Sequence, residues 1–107
     1  MYTIEYLPIA KSDMVDIAKY IGVKLENPEA AERLAEKMIE AAEKLTDMPY
    51  KCPVHIPVKP LRHEYRKLIV QNYIMFYWVD EDKKLITIAR VVYSGRDYEN
   101  ILKRNAL

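Results

Sequence analysis

The chain has 107 residues, of which 50% are apolar and 31% are charged, and its formal net charge is +1. This length and balance predict one globular domain, residues 1–107, and exclude a disordered chain. No apolar run reaches the roughly 18 residues of a membrane span, the N-terminus lacks a signal-peptide pattern, and the single cysteine excludes an internal disulfide. We therefore expect a cytoplasmic protein that has no membrane partner.

The chain opens with a strand pattern and then changes to a helix pattern. Residues Tyr2–Leu7 alternate with a period of two, which is typical of a strand, and Pro8 ends the alternation. Apolar side chains then recur every three or four residues from Ala10 to Ile21, which predicts a first helix. The end of this helix stays open at this point, because Gly22 favours a stop whereas Leu25 continues the apolar stripe.

A second helix is predicted to start at Asn27-Pro28. Asn27 can cap the free amide groups of the first turn, and Pro28 suits the first helical position. The link to the first helix is short, so the two helices should form an antiparallel hairpin. The helix should end at Thr46–Pro49. Its apolar stripe comprises Ala31, Leu34, Ala35, Met38, Ile39, Ala42 and Leu45.

The second half of the chain predicts an irregular segment and then a sheet. Four prolines between residues 49 and 60 exclude a helix and a central strand there. Three apolar runs follow, the first opened by Arg66, with Tyr73–Val79 apolar on both faces and therefore central. Tyr98–Leu102 predicts a last helical turn. The fold class is therefore α+β: an N-terminal strand, an antiparallel helical hairpin, and a three-stranded antiparallel meander completing one small sheet.

Charge divides the chain into two unlike halves. Residues 1–50 hold six Lys and Arg against ten Asp and Glu, whereas residues 51–107 hold eleven against six. A basic half can attract nucleic acid or an acidic protein, and it can equally be a solvated surface. Both interpretations remain open on charge alone. The candidate target- or nucleic-acid-binding residues are Lys59, Arg62, Arg66, Lys67, Tyr93 and Arg96.

None of the standard catalytic motifs explains the role of these basic residues. The sequence has no glycine-rich phosphate loop, no metal-binding spacing and no nucleophile elbow, so we expect neither a metal site nor a cofactor. Metal-free RNA cleavage needs cations to stabilise the phosphate and an acid and a base to move protons. Arg66, Arg96 and Tyr98 are the catalytic candidates. His55 and His63 are the other residues that could serve as the acid or the base. Tyr73 and Tyr77 are better explained as core residues, and Arg90 as a structural ion-pair partner or a ligand contact.

The order of these features resembles toxins of the RelE/ParE superfamily, from type II toxin–antitoxin modules. The resemblance runs through YTIEYLPIAKSDMVDIAKYI, NPEAAERLAEKMIEAAEKLTDMP and, above all, RKLIVQNYIMFYWVDEDKKLITIARVVYSGRD. It implies a growth inhibitor, often encoded on a plasmid-stabilisation module, that a cognate antitoxin neutralises. ParE-like members poison DNA gyrase, and RelE-like members cleave mRNA on the ribosome.

Two departures bear on the choice between these targets. Where RelE-like enzymes often carry an arginine after the first tyrosine of the central strand, this chain has Ile74, and their late catalytic residue has no secure counterpart. The Asn-Pro-x-Ala-Ala start of the second helix is closer to ParE. The resemblance therefore favours a ParE-like toxin with gyrase as its target. A ribosome-dependent mRNA endonuclease and a degenerate, non-toxic binding module are the alternatives.

Overall fold

The computed structural model describes residues 1–104 and has the predicted α+β architecture. A four-stranded sheet carries a pair of helices on one face and a short C-terminal helix on the other. The strands are β1 (Thr3–Tyr6), β2 (Arg66–Val70), β3 (Tyr73–Asp80) and β4 (Leu85–Tyr93). The helices are α1 (Pro8–Lys19), α2 (Pro28–Lys44) and α3 (Tyr98–Arg104).

The helical hairpin is confirmed, and its tip differs from a regular helix end. α1 does not stop at Gly22; it widens into a π-helical turn at Tyr20–Lys24, where the Leu25 amide donates to the Tyr20 carbonyl. α2 begins as predicted, because the Asn27 side chain accepts a hydrogen bond from the Ala30 amide at 3.1 Å. Within the apolar stripe of α2, Ile39 is the exposed member. It lies at the border of the polar face and is 47% exposed.

The sheet has the strand order β1-β4-β3-β2. β2, β3 and β4 form the predicted antiparallel meander, and β1 joins β4 in parallel, with Thr3 opposite Leu85 and Tyr6 opposite Ile88. The α1–α2 hairpin crosses one face of the sheet and connects β1 at one edge to β2 at the other, and the meander then returns so that β4 lies beside β1. β3 is an inner strand, which explains why Tyr73–Val79 is apolar on both faces.

Each face of the sheet has its own core. The first face packs on α1 and α2, and Tyr77 in its centre is fully buried, with its hydroxyl donating to the Pro49 carbonyl at 2.8 Å. Tyr73 is partly buried against the same core, so both tyrosines pack as predicted. On the second face the buried residues are Tyr65, Ile74, Phe76, Ala89, Val92 and Leu102. The proline-rich segment and α3 supply the cover of this second face.

A β-bulge in β4 joins the sheet to α1. The register steps from Phe76 opposite Arg90 to Tyr77 opposite Ile88, which leaves Ala89 as the additional residue. Next to the bulge, Asp13 of α1 accepts two hydrogen bonds from the Arg90 guanidinium, at 2.8 and 2.9 Å, and one from the Val91 amide at 2.9 Å. Arg90 is therefore a structural ion-pair partner, one of the two roles that its position in the sequence allowed.

Glu81, in the β3–β4 turn, connects three separate parts of the chain. Its Oε1 accepts hydrogen bonds from the hydroxyl of Tyr2, at 2.7 Å, and from the hydroxyl of Tyr50, at 2.5 Å, and its Oε2 pairs with Lys84. These donors favour the ionised carboxylate and lower the pKa of Glu81 to about 2, with the Lys84 ammonium as the largest contributor. The same carboxylate raises the pKa of Tyr50 to about 12.

These shifts predict a loss of stability in acid that depends on Glu81. Because the pKa of Glu81 is lower in the folded state, its contribution is present above its ordinary pKa of 4.5 and is lost as the pH falls towards 2. The melting temperatures of the wild type and of Glu81→Gln, measured between pH 6 and pH 2, should therefore become equal at the acid end. Asp82→Asn, in the same exposed turn, is the control and should show no such convergence. A constant difference between wild type and Glu81→Gln at every pH would contradict the assignment.

Candidate functional site

The candidate site is a cleft between the proline-rich segment and α3. This loop–α3 cleft has a volume of about 370 Å³ and is lined by Val54, His55, Ile56, Lys67, Arg96, Asp97, Tyr98 and Glu99. It lies above the second core of the sheet, because the rings of His55 and Tyr98 both pack against Phe76. The fold thus brings together residues that are more than forty positions apart in sequence.

Three of the sequence candidates meet in this cleft. Lys67 extends from β2 on the same face as Phe76, its partner in β3, and is partly buried. Arg96 is exposed, and within residues 1–104 its side chain has no hydrogen bond or ion pair. Tyr98 opens α3, with its ring centroid 5.3 Å from that of Phe76. The cleft therefore combines two cations with an anchored phenol.

Lys59 and Arg62 flank the cleft on the exposed part of the proline-rich segment. Lys59 lines a depression of about 240 Å³ next to α3, which shares Asp97 and Glu99 with the cleft. Arg62 lines another of about 340 Å³, which shares residues 54–56 with it. Both side chains are exposed. Four of the six predicted binding residues, namely Lys59, Arg62, Lys67 and Arg96, thus surround one surface, which we call the basic surface.

Arg66 lies elsewhere. Successive residues of a strand point to opposite faces, so Arg66 is directed away from the side occupied by Lys67. Its guanidinium donates to the carbonyls of Tyr50, at 3.1 Å, and Cys52, at 2.7 Å, and it lies 5.0 Å from the centre of the Tyr50 ring. Its side chain is 16% exposed. These contacts give Arg66 a structural role in fastening residues 50–52 to β2, apart from the basic surface.

A buried histidine forms the floor of the cleft. His55 is 5% exposed, and its Nε2 lies 2.8 Å from Oε1 of Glu99, without the alignment of a full hydrogen bond. Its ring also makes an edge contact with Tyr98, at 5.6 Å between centroids. From the sequence, His55 is only one of two histidines in or beside the proline-rich segment. Its pairing with Glu99 of α3 has no signal in the spacing, because forty-four positions separate the two residues.

Tyr93 lies on another side of Arg96, in a separate groove. This groove has a volume of about 570 Å³ and lies between α1 and the ends of β3 and β4. Tyr93 is 50% exposed, unlike Tyr77 in the core. Of the two tyrosines among the candidate site residues, Tyr98 therefore contributes to the cleft and Tyr93 to the groove.

The central strand has Ile74 and no cation at the position where RelE-like enzymes often carry an arginine. Ile74 is 5% exposed and packs in the second core with Phe76 and Val92. A charged side chain there would have to replace buried apolar surface. The cations of the basic surface therefore come from β2, the proline-rich segment and the turn before α3.

The described part of the chain holds neither a cluster of metal-binding side chains nor a membrane-spanning helix. Residues 1–104 contain no group of three or more His, Cys, Asp and Glu side chains that is arranged to hold a metal ion. None of the helices formed by these residues is both long and apolar enough to cross a membrane.

Comparison with known proteins shows which class this fold belongs to. The family described as "ParE toxin of type II toxin-antitoxin system, parDE" matches residues 4–98. Among solved structures, the fold is similar to a chain of the chromosomal ParDE toxin–antitoxin system from P. aeruginosa, with a TM-score of 0.70, 20% identity, and coverage of 87% of this chain and 96% of that one. No curated protein sequence matches the chain.

A second solved structure extends the likeness to the wider superfamily. A chain of the toxin–antitoxin complex RelBE2 from Mycobacterium tuberculosis has a TM-score of 0.56 and 21% identity, with coverage of 86% of this chain and 96% of that one. The fold is therefore that of the RelE/ParE toxins. Because the family match spans most of the sequence, the chain belongs to the ParE toxin family of type II toxin–antitoxin systems.

Proposed function

We propose that this toxin arrests growth by binding DNA gyrase in the cytoplasm, and that a cognate antitoxin neutralises it. The observation that carries the proposal is the composition of the basic surface. Lys59, Arg62, Lys67 and Arg96 are cations arranged around a cleft, and the two carboxylates of that cleft have partners within the chain: Asp97 accepts a hydrogen bond from Asn100, and Glu99 lies against His55. The cations are therefore available to an acidic protein or to DNA held by one. Family membership in ParE supports gyrase as the target.

The protonation chemistry of the cleft favours binding over RNA cleavage. A general base must reach the 2′-hydroxyl proton, but His55 is buried and its Nε2 faces Glu99. Tyr98 is held by ring packing on Phe76 and His55. With Ile74 in place of a central-strand cation, the phosphate would be stabilised from one side of the cleft alone.

An antitoxin that covers the basic surface would account for neutralisation. The apolar side chains Ile56 and Val58 are 85% and 86% exposed beside the cations, and Ile69 of β2 is 64% exposed. A segment carrying acidic and apolar side chains would complement this combination. Both solved relatives are parts of toxin–antitoxin systems, which supports a partner of this kind.

The gyrase assignment predicts an effect of the basic surface on supercoiling. Purified protein should block supercoiling by gyrase or trap cleaved DNA, and Lys67→Ala/Arg96→Ala should weaken this inhibition by roughly tenfold or more, as removal of two interface cations does. The matched control is Lys11→Ala/Lys83→Ala, which removes two exposed cations outside the basic surface. The product of the neighbouring gene should restore supercoiling. Absence of inhibition at stoichiometric excess would rule gyrase out.

Ribosome-dependent RNA cleavage remains the second candidate function, because Lys67, Arg96 and Tyr98 do share one cleft. A translation extract separates the two activities: cleavage predicts codon-phased cuts that Arg96→Ala reduces. Expression of the chain alone in a bacterium tests the remaining alternative. Growth arrest that the neighbouring gene relieves would exclude a degenerate, non-toxic module.

A further inference from the structure

The groove beside Arg96 is a second concave site, distinct from the loop–α3 cleft. Its volume of about 570 Å³ lies within the range of small-molecule sites. α1 forms one wall and the ends of β3 and β4 form the other, with the turn that carries Arg96 at its margin. The groove is lined by Asp13, Asp16, Ile17, Tyr20, Tyr73, Val91, Val92, Tyr93 and Arg96.

Three tyrosines give the groove aromatic walls. Tyr20, from the π-helical turn that follows α1, and Tyr93, from the end of β4, are 51% and 50% exposed. Tyr73 belongs to β3, the strand between β2 and β4, and its ring lies 5.9 Å from the Tyr93 ring and at 70° to it. Burial raises the pKa of Tyr73, and the nearby Tyr20 and Tyr93 raise it further, so its phenol is a neutral hydrogen-bond donor.

The turn after β4 is shaped around the Tyr93 ring. A side-chain Cβ at Gly95 would lie 2.6 Å from Cε2 of Tyr93, so the ring occupies the space that any other residue would fill. The Arg96 amide donates to the Tyr93 carbonyl at 3.0 Å, which closes the turn. Glycine at this position therefore allows an aromatic face and a guanidinium to stand side by side.

Two charged side chains in the groove are uncommitted. Asp13 is satisfied by Arg90 and the Val91 amide, but Asp16, one turn further along α1, is exposed. In the part of the chain that the structure describes, neither the Asp16 carboxylate nor the Arg96 guanidinium has a side-chain hydrogen bond or ion pair. The groove thus offers one free acceptor and one free cation, together with exposed tyrosine rings.

We propose that this groove binds a guanosine 5′-phosphate group, either as a free nucleotide or as an unpaired residue of a single strand. A nucleobase stacks on exposed tyrosine, and Arg96 binds the phosphate with paired hydrogen bonds. The Asp16 carboxylate selects guanine, because the Watson–Crick edge of guanine presents two adjacent N–H donors whereas the other bases present fewer. This site shares Arg96 with the basic surface, whereas Asp16 and the tyrosines belong to the groove alone, so nucleotide binding is tested separately from the gyrase target.

Calorimetric titration with GMP, AMP and UMP at low salt tests the proposal. GMP should bind with an affinity between roughly 10 µM and 1 mM, which is the range of a single shallow site. Asp16→Asn should weaken GMP roughly fivefold or more, as loss of a bidentate base contact does, and leave AMP unchanged. Arg96→Ala should weaken both nucleotides by about tenfold but not guanosine, which lacks the phosphate. The control Asp82→Asn, which changes an exposed carboxylate outside the groove, should bind GMP like the wild type.

Two further measurements test the aromatic wall of the groove and distinguish a free nucleotide from an unpaired residue of a single strand. Gly95→Ala displaces the Tyr93 ring and should reduce GMP binding while the circular dichroism spectrum of the fold is retained. Fluorescence anisotropy with a short labelled strand containing one guanine, against an all-thymine strand, distinguishes a strand ligand from a free nucleotide. The assignment would be overturned if GMP failed to saturate the protein at about 10 mM. It would also be overturned if Asp16→Asn and Arg96→Ala both bound GMP as tightly as the wild type does.

Discussion

Replacing Asp13 with alanine is expected to lower the free energy of unfolding by about 3 kcal/mol, because it leaves Arg90 without its partner inside the protein. The two side chains are only 14% and 16% exposed, so water can compensate little of the loss. Asp13 also accepts the Val91 amide at the β4 bulge, and that donor would be left unsatisfied as well. Urea unfolding of the wild type and the variant measures the difference.

Two further variants show whether the loss comes from the ion pair. Asp16→Ala removes an exposed carboxylate from the next turn of α1 and should change stability by less than about 0.5 kcal/mol. The double variant Asp13→Ala/Arg90→Ala should lose less than the sum of its single variants, because it leaves no charge unpaired. Equal effects of Asp13→Ala and Asp16→Ala would contradict the structural role of the pair.

Local patterns in the sequence predict the elements of this fold because those patterns have local causes. The Asn27 cap is predicted from two adjacent residues, Asn27 and Pro28. The central position of β3 is predicted from its two apolar faces. The parallel pairing of β1 with β4 was not predicted, since eighty-two positions separate Thr3 from Leu85. The exposure of Ile39 has a different reason: an apolar residue at the edge of a helical stripe can fall on either side of the boundary between core and solvent.

The candidate site shows a sharper limit of sequence patterns. Lys67 and Arg66 are neighbours and equally basic, yet strand alternation sends one to the basic surface and the other to the carbonyls of Tyr50 and Cys52. The register of β2 on β3 and the path of residues 50–55 determine which of the two side chains reaches the basic surface. The same segment contains the isolated antiparallel pairing of Val54 with Arg66, one residue before His55 at the floor of the cleft.

Replacement of Phe76 by alanine should cost about 3–5 kcal/mol of stability, since the ring is fully buried and large aromatic deletions leave a cavity. Phe76 has a further role, because the cover of the second face is built on it: His55, Tyr65 and Tyr98 all make ring contacts with it. The basic surface therefore depends on this ring even though Phe76 carries no charge. Ile69→Ala, on the same face but 64% exposed, is the control and should cost less than about 1 kcal/mol.

Phe76→Leu separates loss of the site from loss of the fold. Leucine keeps much of the buried volume, so the chain should stay folded with a cost of about 1–2 kcal/mol. The ring contacts to His55 and Tyr98 would nevertheless be lost, which loosens α3 and the proline-rich segment. Native-state hydrogen exchange should therefore accelerate in α3 and residues 53–65 far more than in α2. Uniform acceleration across α2 and α3 would show instead that Phe76 supports the fold as a whole and has no particular role in holding the cleft.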